Sequence, residues 1–90
     1  MAKKRRKSFL IKTAEQLRVI SSPIPFSIVQ ALQHLGPTAI SDLGPKIGRS
    51  SNSLHYHMRK LLTLGMVRET GSRRSGARTE AIYDVVADRF

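Results

Sequence analysis

Apolar residues recur at spacings of three and four through most of the chain, and at every second position only near its C-terminal end. Between Phe9 and Ile20 the positions Leu10, Thr13, Ala14, Leu17 and Ile20 form one helical stripe. Ser21-Ser22-Pro23-Ile24-Pro25 interrupts it, because proline removes a backbone donor and biases the residue before it away from the helical region. A second helix is expected from Pro25 or Phe26 to Leu35, with Ile28, Val29, Leu32 and Leu35 inward, Gly36 as its C′ residue and Pro37 as a stop. Thr38-Ala39-Ile40 is too short to assign and leaves room for one short strand. Ser41 to Ile47 reads as a short third helix with Leu43 and Ile47 inward and an awkward Pro45, and Gly48 ends it.

The fourth helix, residues 51–64, has the clearest period. Ser50 or Ser51 supplies the N-cap hydroxyl, Leu54, Met58, Leu61 and Leu62 form the buried stripe, and Gly65 closes the helix. Alternation then takes over. Met66 to Thr70 reads as a strand, and Thr79 to Val85 as its partner, with Ala81, Tyr83 and Val85 set against Glu80 and Asp84. Between them runs Gly71 to Arg78, bounded by turn glycines and carrying Arg73, Arg74 and Arg78. A short helix joined to a long one through Gly48-Arg49-Ser50 has the connectivity of a helix-turn-helix. A β-hairpin directly after it makes the expected fold a winged helix-turn-helix, mainly α with a small β-hairpin wing.

Composition narrows the use of that fold. The chain has 90 residues, 16 Lys and Arg against 6 Asp and Glu, and a formal charge of +10. Such a balance points to a polyanionic partner, most often nucleic acid. Residues 1–8 hold five bases and no acid and are expected to form a disordered tail, leaving 9–90 as one domain. There is no cysteine, which excludes a thiolate zinc site, an iron–sulfur cluster and a cysteine nucleophile. No apolar run approaches the ~20 residues of a membrane span.

The fourth helix carries the candidate chemistry. At about 100° per residue, Met58, Leu61 and Leu62 lie within about 80° of Leu54. Asn52, Tyr56, Arg59, Lys60 and Thr63 cluster opposite, with Ser53, His55 and His57 at the boundary. No acid occurs from Lys46 through Lys60. A solvated helix face usually mixes signs, whereas a face of hydrogen-bonding and cationic groups suits DNA: Asn pairs with adenine, Arg with guanine, and distal cations meet phosphates. His55 and His57 diverge by about 200° on a helix and do not chelate one ion. His34, near a helix C-terminus, is placed to meet the last carbonyls. No carboxylate pair or phosphate-binding loop supports catalysis, so neither an enzyme, a metal nor a cofactor is expected.

The stretch RSSNSLHYHMRKLLTLGMV, Arg49 to Val67, resembles the recognition helix of bacterial ArsR/SmtB-type winged-helix repressors. SPIPFSIVQAL resembles the opening of their second helix, with Phe26 where arginine is common, and GSRRSGARTEAIYDVV resembles their wing. The resemblance spans roughly Ser22 to Val86. It implies a transcriptional regulator of double-stranded DNA, at the bacterial or archaeal nucleoid in the cytoplasm. The base-reading segment would hold Ser51, Asn52, Ser53, His55 and Tyr56, flanked by Arg49, Arg59 and Lys60, and the wing would hold Arg73, Arg74 and Arg78. It also implies a homodimer, for which Leu10, Leu17 and Ile20 of the first helix are the expected seam. Relatives add a helix after the wing, whereas only Ala87 to Phe90 follow here, so a piece of a longer regulator is expected. The competing class is a winged helix that binds protein or RNA without reading bases, for which clustering of the arginines away from the helix would speak.

Overall fold

Thr13 starts the first helix with a reciprocal cap. Its hydroxyl accepts from the Gln16 amide, and the Gln16 side-chain oxygen accepts from the Thr13 amide. That cap places helix α1 at Ala14–Ile20, so the helix expected from Phe9 begins five residues later. The inward residues of the segment therefore differ from the expected stripe. Val19 is buried, and Phe9, Ile11 and Ile20 pack on the core. Leu10 is 73% exposed and Leu17 57% exposed. The Gln16 side chain donates to the Leu64 carbonyl at 3.1 Å, which turns this face of α1 toward the fourth helix.

The computed structural model describes residues 5–90, and within them four helices and three strands. Helix α2, Pro23–Leu35, begins earlier than expected because Ser22 is its N-cap and Pro23 and Pro25 both sit in the first turn, where missing amide donors cost nothing. Ile28, Val29 and Leu32 are buried, whereas Leu35 points outward at the last turn. Strand β1, Thr38–Ala39, leads into helix α3, Ile40–Ile47, which accommodates Pro45 without breaking. Gly48 ends α3 in the left-handed region at φ 76°, ψ 35°, a conformation that side chains disfavour. Helix α4, Ser51–Thr63, follows after two residues, with Ser50 capping the Ser53 amide at 3.2 Å.

Strands β2, Val67–Ser75, and β3, Arg78–Val85, form the hairpin, and the sheet order is β1-β3-β2, antiparallel throughout. Both strands run through the segment expected as a long loop. Ladder pairing continues to Ser75–Arg78, leaving Gly76-Ala77 as a two-residue turn. A bulge between Glu69 and Gly71 absorbs one residue. The core, built from Ile28, Leu32, Leu43, Leu54, Met58, Leu61, Met66 and Val85, lies where the helices meet the base of the hairpin.

Part of the expected disordered tail is tied down, and its residues 1–4 lie outside the described residues. The Arg6 amide donates to the Val86 carbonyl and its carbonyl accepts from the Asp88 amide, extending the end of β3. The Arg5 guanidinium meets Asp84 at 2.8 Å and 3.2 Å and Asp88 at 3.3 Å, and donates to the carbonyls of Leu32 and Gln33 in the last turn of α2. Asp84 is only 5% exposed. Charge alone suggested a mobile segment; a buried carboxylate and two helix-terminal carbonyls supply partners for one of those charges. Arg5→Ala leaves Asp84 buried opposite no cation and is expected to cost about 3 kcal/mol in urea unfolding. Adding Asp84→Asn should recover part of that loss, and an unchanged midpoint in Arg5→Ala would show that the pair does not hold the two ends together.

Candidate nucleic-acid interface

The junction of α3 and α4 sets the direction of the candidate face. The amides of Gly48 and Arg49 both donate to the Gly44 carbonyl, at 2.7 Å and 3.2 Å. A Cβ on Gly44 would stand 3.2 Å from the Arg49 carbonyl oxygen, so the tight turn favours glycine there. Leu54, Met58 and Leu61 anchor α4 in the core, as the period predicts, and Leu62 packs on the core while remaining half-buried. This orientation sends Ser51, Asn52, His55, Tyr56, Arg59 and Lys60 outward, with Arg49 exposed just before the helix and Ser53 half-buried. The first-turn amides of α4 lie at the same end and favour anions. No carboxylate lies between Asp42 and Glu69 in the chain.

Tyr56, 54% exposed, is held from two sides. The His57 ring meets it edge-on at 5.1 Å, and the Lys60 ammonium sits 5.3 Å from its ring centre. Tyr56, Arg59, Lys60 and Thr63 together with Glu15 and Leu64 line a depression of about 260 Å³ between α1 and α4. On the other flank, a groove of about 370 Å³ runs between α4 and the hairpin, bordered by His55, Ser75, Arg78 and Thr79. The structure thus brings His55 and Arg78 to one groove, which Glu80 also lines, and places Tyr56, Arg59 and Lys60 on the other flank of α4.

The three wing arginines are not equivalent. Arg74 and Arg78 are exposed and form no ion pair among the described residues. Arg73 is engaged. Its guanidinium meets Asp42 at 2.8 Å and Glu80 at 3.2 Å and donates to the Ser41 hydroxyl at 3.1 Å. Asp42 foremost, then Glu80, raises the Arg73 pKa above its ordinary value. The Ser41 hydroxyl foremost, with Arg73, holds the Glu80 carboxyl below the usual carboxylate range. Ser41, Asp42 and Glu80 were not singled out by sequence reasoning. The usable signal was the hairpin register: a two-residue turn at Gly76-Ala77 sets Arg73 opposite Glu80.

Among the described residues no group of three or more His, Asp or Glu is placed to hold a metal ion, and no helix is long and apolar enough to cross a membrane.

Two close-packed helices with a tight glycine turn, followed by a projecting antiparallel hairpin, define a winged helix-turn-helix. Neither a family model nor a curated protein matches the chain. Among solved structures it is similar to the crystal structure of M. tuberculosis Rv0081, at 24% identity and a TM-score of 0.65, over 82% of this chain and 69% of that one. That likeness is one of fold.

His57 gives the face a pH dependence. Burial foremost, then the Lys60 and Arg49 cations, lowers its pKa. The unfolded chain, with an ordinary histidine near 6.5, therefore takes up the proton more readily than the folded one. The stability contributed by neutral His57 is complete above about pH 6.5 and is lost as pH falls below it. Urea unfolding at a series of pH values from 7 to 5 should show a wild-type decline that is shallower in His57→Gln. Equal declines would mean that this histidine does not titrate differently in the two states.

Proposed function

We propose that the protein is a sequence-specific regulator of transcription that binds double-stranded DNA, without catalysis, at the nucleoid in the cytoplasm. Helix α4 enters the major groove, with Ser51, Asn52, Ser53, His55 and Tyr56 toward base edges and Arg49, Arg59 and Lys60 toward phosphates. The hairpin lies along the neighbouring backbone or minor groove through Arg74 and Arg78. The observation that carries this reading is the outward face of α4, which presents donors, an amide, an aromatic ring and cations and no carboxylate. A face for an ordinary protein partner has no need to exclude one charge sign over 26 consecutive residues, 43–68. The resemblance of Arg49 to Val67 to repressor recognition helices supports the same reading, as does the fold shared with Rv0081.

Selection from a random duplex library followed by gel shift tests it directly. Arg49, Arg59, Lys60, Arg74 and Arg78 together should give a log–log salt slope of about −4 to −5. Asn52→Ala and Tyr56→Ala should each lower specific binding by about 1–3 kcal/mol while leaving nonspecific binding nearly unchanged. A specific-to-nonspecific ratio that survives both changes would remove α4 as the reader.

The proposed assembly is a two-fold dimer on a pseudo-palindromic site, with half-sites about one DNA turn apart. Leu10 and Leu17 support it, since both are exposed in the single chain, beside the partly buried Ile20. Sedimentation equilibrium should find a concentration-dependent dimer that dissociates in the micromolar range and is favoured by DNA through mass action. Leu17→Glu should then yield a folded monomer, and a chain that stays monomeric at millimolar concentration would exclude the seam.

A further inference from the structure

Arg73, Asp42, Glu80 and Ser41 join three elements at one point. Arg73 and Glu80 face each other across β2 and β3, while Ser41 and Asp42 lie in the first turn of α3. The hairpin otherwise projects from the body: every residue from Glu69 to Thr79 is exposed. A two-stranded ribbon without a packed face has little to fix its angle. A guanidinium held by two carboxylates and a hydroxyl has definite directionality, because its donors form a planar fork. The cluster sits at the third ladder pair from the Gly76-Ala77 turn, after Ser75–Arg78 and Arg74–Thr79.

We infer that Arg73 is a positioning residue: it fixes the wing to the first helix of the helix-turn-helix and so sets the place at the duplex of Arg74 and Arg78, one on each face of the wing, and it is not itself a phosphate ligand. This rests on the DNA-binding reading above. It divides three arginines that look alike in sequence into one strut and two contacts. Alternation along the ribbon places Arg74 on the face opposite Arg73 and Arg78, paired with Ser75, on the same face as Arg73, so fixing Arg73 sets the direction of both. The two carboxylates also have a defined place on a chain so short of acid. On a surface meant to meet phosphate, Asp42 and Glu80 would repel the ligand, and Arg73 offsets one of their two charges.

The inference makes a prediction of unexpected sign. Asp42→Asn removes a negative charge near the interface. If Arg73 were a phosphate ligand, the change would release it, raise affinity and steepen the salt slope by about one. If Arg73 positions the wing, the same change lowers affinity about tenfold and flattens the slope by about one, because a wing contact is lost. Asp42→Glu, which keeps the carboxylate, should restore most of the affinity. In an Arg73→Ala background, Asp42→Asn should have no additional effect. All these side chains are at the surface, where ion pairs contribute little to folding, so the variants should remain folded. Amide hydrogen exchange supplies a readout independent of DNA: residues 71–79 should exchange faster in Asp42→Asn than in the wild type. Higher affinity with a steeper slope in Asp42→Asn overturns the inference, and so does unchanged exchange in the hairpin. A wild-type chain that binds no duplex refutes the DNA-binding reading, and the exchange comparison still decides whether the strut holds the wing.

Discussion

The burial of Leu54, Met58 and Leu61 decides what this molecule can present to a partner. Helix α4 has 13 residues, and three fully buried side chains on one side leave it no rotational freedom. The opposite side is then outward by geometry, whatever its chemistry. The turn before the helix is fixed by the same packing, since Leu43 and Leu54 share the core while Gly44, Gly48 and Arg49 close the gap between α3 and α4. Had the apolar stripe been one residue out of phase, Asn52 and Tyr56 would point elsewhere with no loss of helical propensity. Interior packing and exterior chemistry are two readings of one periodicity.

Strand β3 does the corresponding work for the sheet. It lies between β1 and β2, and its base carries Val85 into the core and Asp84 to Arg5. The chain just beyond it pairs with Arg6, and Phe90 stacks on Phe9 with ring centres 5.4 Å apart. The start and the end of the described chain thus close on one another below the hairpin, while the hairpin itself extends away. Ion pairs fasten both levels. The lower one, Arg5–Asp84, is largely buried and bears on stability; the upper one, around Arg73, is exposed and bears on orientation.

Legibility in the sequence followed the strength of the local signal. Helix α4 was read almost to the residue, because its stripe, serine cap and closing glycine agree. The helix order and the base of the hairpin were legible for the same reason, whereas the two residues of β1 are too few to carry a periodic signal. Helix α1 was not, since the capping box at Thr13 and Gln16 outweighs a hydrophobic period that continues back to Leu10. The start of α2 was misplaced because two prolines read as a break, although both fit a first turn. The wing was taken for a loop because its glycines and arginines have low strand propensity; ladder pairing against β3 overrides that preference. Among candidate site residues, the outward set on α4 followed directly from helical phase. The different situation of Arg73 did not, because Asp42 approaches it from 31 positions away in the chain and only the tertiary structure brings them together.

The order β1-β3-β2 leaves the nine residues of β2 as a sheet margin, with one row of backbone donors and acceptors that no strand pairs among the described residues. Such a margin invites another chain to add a strand, the first step toward aggregation. The bulge between Glu69 and Gly71 and the adjacent cations Arg73 and Arg74 are the features by which exposed margins discourage that addition. Two like molecules meeting along β2 would bring arginines against arginines. The uncompensated charge of Arg74 and Arg78 near the tip therefore works against copies of the protein joining edge to edge, a contribution to solubility that needs no ligand.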